Sequence, residues 1–195
     1  MKFYQVLLYT HIAAGMVSFI VGFVASISTK GSKRHKQYGK YFAIALGISA
    51  IVALILSSLK PNSFLFVIGC FALYLIASGW VRTWKAPLSR KIGLAKVIGI
   101  FGVLLAVTML FLGVLAIQGS GILLLIFGGI LLSFAIFDIG REPKRLAIYA
   151  RHGCRMGGAF IASITAFAVT NLQAYTDAFL PEITWWLVPT IVVRP

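Results

Sequence analysis

Few side chains in this sequence can do chemistry. Its metal-binding types are three histidines (His11, His35, His152), two cysteines (Cys70, Cys154) and four carboxylates (Asp138, Glu142, Asp177, Glu182). It has no Walker loop, GxSxG, HExxH, CxxCH or paired-cysteine motif. Hydrolysis needs a base poised at its substrate, and a chain so poor in acids offers few. What remains is imidazole chemistry: ligation of haem or a metal ion, or relay of a proton. No metal-ligand spacing surrounds Cys70 or Cys154, which read as small packing residues.

The elements that must position these histidines are apolar. Charged residues make up 11% of the chain, and mean hydropathy is +0.97, against about 25% charged residues in a soluble domain. Such a chain belongs in a bilayer, where a spanning helix takes about 20 mostly apolar residues. Charges and turn residues divide the sequence into spans of that length at about 4–28, 41–59, 64–84, 92–117, 122–139 and 151–172. The break between the fourth and fifth is Gln118-Gly119-Ser120-Gly121, a turn composition. A proline-bearing segment at about 180–194 is a seventh span or an interfacial piece. The uncharged run Phe3–Thr29 is longer than the apolar core of a cleaved signal and reads as a span. The expected fold is all-α: a polytopic transmembrane bundle in one domain over residues 1–195, built as three helical hairpins.

The formal charge of +14 has no soluble basic face to serve nucleic acid. Fifteen of the 18 Lys/Arg fall in three connections. Lys30, Lys33, Arg34, Lys36 and Lys40 join spans one and two. Arg82, Lys85, Arg90, Lys91 and Lys96 flank the third connection. Arg141, Lys144, Arg145, Arg151 and Arg155 flank the fifth. Cytoplasmic loops carry the Lys/Arg excess, so the expectation is a cell-membrane protein with its N-terminus outside and these loops inside, against anionic headgroups. Tyr38, Tyr41, Trp80, Trp84 and Tyr149 fall where the inner aromatic belt belongs.

Helices in lipid associate through small residues. Ala14, Ser18, Gly22 and Ser26 form one such stripe, and Gly158, Ala162, Ala166 and Thr170 another. Gly99, Gly102, Ala106 and Gly113 form a looser third. Phe19, Phe23, Phe160 and Phe167 then fill gaps or face lipid.

An ionisable residue within a span is a functional candidate by default. His11 shares the small-residue side of the first span. His35 and His152 open the second and sixth at the basic end, near the level of Asp138. A carboxylate can orient an imidazole, so His35, His152 and Asp138 form one candidate site; the alternative pairs Asp138 with Arg141 or Arg155. His11 lies 17 residues before Ser28, about 25 Å along a helix, and cannot join the inner pair.

Two stretches, THIAAGMVSFIVGFVAS with KGSKRHKQYGKYF and RHGCRMGGAFIASITAFAVTNL with LPEITWWLVPTIVV, resemble a family of bacterial multi-pass membrane proteins of unknown function. That family has a histidine early in its first helix, His-x-x-x-Gly after the first basic loop, and a histidine opening a late helix. Here these are His11, His35 with Gly39, and His152. The resemblance implies the same topology, the three histidines as a set, and a tail running further than Pro195. It implies no activity. Two functions stand nearly level: an accessory or scaffold subunit of a membrane complex, and a redox protein holding haem b through inward-facing histidines. A small transporter ranks behind them.

Overall fold

A computed structural model describes residues 2–116, 120–140 and 145–171, together with Trp186 and Pro189. The tail expectation for 180–194, the Gln118-Gly119 turn, and Arg141 and Lys144 fall largely or wholly outside that set. Among the described residues there are six helices and no strand: α1 (Lys2–Ile27), α2 (Lys33–Leu59), α3 (Ser63–Thr83), α4 (Leu88–Leu115), α5 (Ser120–Ile139) and α6 (Arg145–Asn171). Five of them, α1 to α5, are long and apolar enough to cross a membrane. The sixth is as long, but Arg145, Arg151 and Arg155 dilute its apolar character.

Local chemistry explains the boundaries. The Ser32 side chain accepts a hydrogen bond from the His35 backbone N–H (3.1 Å) and starts α2 eight residues ahead of the expected position. Such a cap satisfies one of the orphan donors of a helix start. The preceding Gly31 has φ +81°, the left-handed region that favours glycine. Early initiation puts His35 on a rigid helix rather than in a loop. Asn62 caps α3 likewise, accepting from the Leu65 N–H at 3.0 Å.

Helices α1, α2, α3 and α6 form a ring in which α1 and α3 each pack against both α2 and α6. Helices α2 and α6 therefore face each other across it. The α4–α5 pair packs outside the ring, chiefly on α3. The closest pairings are α1 with α2 and α4 with α5, while α6 pairs with α3, so the second and third expected hairpins are not the packing units. Glycines explain the regrouping. Gly99 and Gly128 bring α4 and α5 together, and Gly102 lets α4 approach the Tyr74 ring.

Small residues line the contacts and large ones face outward, the arrangement expected where lipid is no less apolar than leucine. Ser18, Gly22 and Ala25 are buried on α1, while Phe3, Tyr9, Ile20 and Phe23 are exposed. The α1 stripe thus turns from Gly22 to Ala25 and not to Ser26, because 3.6 residues per turn rotate a strict four-residue stripe off its face. In α6 the buried positions are Arg155, Ala159, Phe160, Thr165 and Ala168, whereas Ala166 is exposed. Phe160 fills the ring, wedged against Phe42 and over Gly22.

Candidate cofactor site at the basic end of the helical ring

Each histidine is anchored in the same way. The Nδ1 of His35 lies 3.0 Å from the Ala25 carbonyl oxygen of α1, and that of His152 lies 2.9 Å from the Gly79 oxygen of α3. Nδ1 of His11 lies 2.9 Å from the Ser49 oxygen of α2. A carbonyl only accepts, so Nδ1 carries a proton in all three rings, and in the neutral ring the lone pair is on Nε2. Such a bond also fixes the ring's orientation. For His35 the partner is one of the last carbonyls of α1, which have no intrahelical donor.

The ring geometry then separates the three. His35 and His152 project from the facing helices α2 and α6, and their centroids are 6.4 Å apart with planes at 82°. Deeper in the ring, Phe42 and Phe160 from the same two helices make a second cross-ring pair, at 6.0 Å. Between these pairs the walls are small: Ala25 and Gly22 on α1, Ser78 and Gly79 on α3. Gly39 sits one turn beyond His35 on the same face, half-buried, and a Cβ placed there would meet nothing within 4 Å. The His35 face is thus open on its inner flank.

Asp138 does not join the histidines. Its carboxylate accepts from Tyr74 Oη (2.7 Å), Arg82 Nη2 (2.8 Å) and Arg155 Nη2 (2.9 Å), all buried between α3, α5 and α6. The pairing with Arg155 is one of the two sequence alternatives for this carboxylate; Arg141 lies outside the described residues. Arg155 also donates to the Phe134 carbonyl at 3.0 Å and lies over the Phe134 ring. Arg82 and Arg155, counted in the sequence as loop charges, turn inward and are 7% and 3% exposed. Sequence reasoning missed Tyr74 altogether. For Arg82 and Arg155 the available signal was spacing: they stand three residues after Gly79 and His152, within one turn of the site.

Histidine 11 stands apart. It forms a reciprocal clip with Ser49, whose hydroxyl donates to the His11 carbonyl at 3.1 Å. Ser49 is 14 residues past His35 on α2, about 21 Å deeper. A cavity of about 530 Å³ opens farther still from the pair, bordered by Ser57, Asn62, Phe66, Cys70, Leu104 and Thr108. Among the residues on its wall, Cys70 is the one metal-ligand type, so the cavity offers less for ligation than the histidine end. Cys70 and Cys154 are free.

Among the described residues no three His, Cys, Asp or Glu side chains converge as a metal cage. A structural zinc ion takes four protein ligands and a catalytic one three. Two imidazoles alone suit a metal whose remaining positions come from elsewhere, as in haem, where the porphyrin supplies four and the protein the axial ligands. At 6.4 Å between centroids, the two imidazoles are close enough to share one bound group. Comparisons with protein-family models, curated proteins and solved structures find no match to this chain. The likeness to multi-pass proteins of unknown function therefore stands on the histidine and glycine pattern alone.

Proposed function

We propose that this chain is an integral membrane cytochrome in which His35 and His152 would hold one haem b. The observation that carries the reading is the approach of two imidazoles from facing helices, each with Nδ1 tied to a backbone carbonyl and Nε2 left to bind. Bound haem would supply reversible one-electron chemistry at iron. The protein's own residues do the rest. The Ala25 and Gly79 carbonyls hold the two rings in one tautomer. The Gly39 gap gives a flat group an edge to enter by. Phe42 and Phe160 close the floor. The cationic end, with Lys30 and Arg34 beside the pair in sequence, supplies counter-charge for carboxylates on such a group.

In the same reading α6 is a sixth span, the N-terminus is outside and the basic end is cytoplasmic, because Lys/Arg excess marks the inner face. A Ser32→Cys reporter in intact cells should resist a membrane-impermeant thiol reagent; labelling from outside reverses the orientation.

The test of function is the visible spectrum and metal content of the purified protein. The expected result is a Soret band with about one iron per chain, lost in His35→Ala and in His152→Ala. A colourless, metal-free preparation that co-purifies with other membrane subunits overturns this reading in favour of an accessory subunit.

A further inference from the structure

We infer that Asp138 and Arg155 set the reduction potential at the His35–His152 site, an inference that rests on the haem reading above. These two groups are charged, buried and fixed: Asp138 is 3% exposed and Arg155 also 3%. Ionisable residues in a membrane core are costly and seldom idle. The bonds from Tyr74, Arg82 and Arg155 hold the carboxylate in one place. A fixed charge gives a constant field rather than one that relaxes with each electron.

The cluster and the histidine pair share one residue. Gly79 offers its carbonyl to His152 Nδ1 at 2.9 Å. A Cβ on Gly79 would come within 3.1 Å of the Arg155 Cβ. Arg155 is also three residues from His152 on α6. Arg155 therefore starts beside the His152 anchor, and its guanidinium runs from there to Asp138 and Phe134 on α5. A unit charge about 10 Å away, at an effective dielectric near 20, shifts a one-electron equilibrium roughly tenfold.

The sign follows from electrostatics. Reduction adds an electron, so a nearby negative charge opposes it and a positive charge favours it. Asp138→Asn should raise the midpoint potential and Arg155→Gln should lower it, each by roughly tenfold in the equilibrium, or about 59 mV for one electron. Arg155→Lys keeps the charge and should stay near wild type. Arg82 takes part in a further interaction and is a less clean probe.

The experiment is a spectroelectrochemical titration of the purified full chain and these variants, read from the Soret band. Shifts of opposite sign in Asp138→Asn and Arg155→Gln support the inference, because a merely structural role has no reason to reverse sign. Potentials that do not move, or move the same way, overturn it while leaving the haem reading intact. A wild-type chain without haem overturns both. Where Asp138→Asn or Arg155→Gln fails to accumulate, Tyr74→Phe decides. It removes the O–H dipole that partly offsets the Asp138 charge, and so should lower the potential, by less than tenfold. An unmoved potential in Tyr74→Phe then overturns the inference.

Discussion

The two ends of the helical ring use one anchoring device for different results. At the basic end His35 and His152 bond to carbonyls of α1 and α3 and meet across the ring. Toward the other end His11 bonds to the Ser49 carbonyl and meets no second imidazole. The lesson concerns what a histidine does in an apolar helix. Tying Nδ1–H to a carbonyl of the next helix satisfies a buried donor, which burial would otherwise penalise by a few kcal/mol. That need alone accounts for His11. It does not account for two rings converging from facing helices with an open glycine flank beside them.

The sharpest break of this comparison removes rings one at a time. His35→Ala and His152→Ala should each abolish haem binding, seen as complete loss of the Soret band, whereas His11→Ala should keep it. Equal loss in all three would erase the distinction between the ends.

Next in size is the ion cluster around Asp138. Asp138→Ala leaves two buried guanidinium groups without their shared carboxylate. Breaking a buried pair from one side costs about 3–5 kcal/mol, which denaturing-detergent titration should register. A cost below 1 kcal/mol would mean that water reaches the cluster.

Gly79 ties the two features together. A side chain there meets Met156 Sδ at 2.9 Å and Arg155 Cβ at 3.1 Å. Gly79→Leu should push α6 from α3, cost about 1–3 kcal/mol, and lower haem occupancy by stretching the His152 anchor. Unchanged occupancy would show that α6 holds its place without that close approach.

The smallest effect is expected at the other end. Ser49→Ala removes the hydroxyl bond to the His11 carbonyl, worth about 0.5–1.5 kcal/mol, and should leave the spectrum as it was. A shifted Soret band in this variant would couple His11 to the pair and contradict its separation.

Much of this was legible in the sequence, and the rest was hidden for definite reasons. His35, His152 and their common level followed from the way charges punctuate apolar runs. The distance of His11 followed from the rise of a helix. The role of Asp138 did not follow. The sequence offered it a histidine or an arginine as partner, and the choice depended on which helix faces adjoin. The charge count concealed Arg82 and Arg155 as well, because a cation at a helix end reads as a loop charge until the helix is rotated into place. Stripes spaced by four residues misplaced Ser26 and Ala166 because they ignore the drift of the real helix.

The amino-acid sequence by itself determined that the chain is a set of long apolar helices, with cations gathered at one end and histidines at two depths. Those properties depend on composition and on rise along one helix axis, and both are local. Tertiary structure alone decided that α2 and α6 face each other, that their two imidazoles meet, and that Asp138 goes to Arg82, Arg155 and Tyr74. The azimuth of each helix is set by small-residue contacts spread over several partners at once. No single segment carries that information.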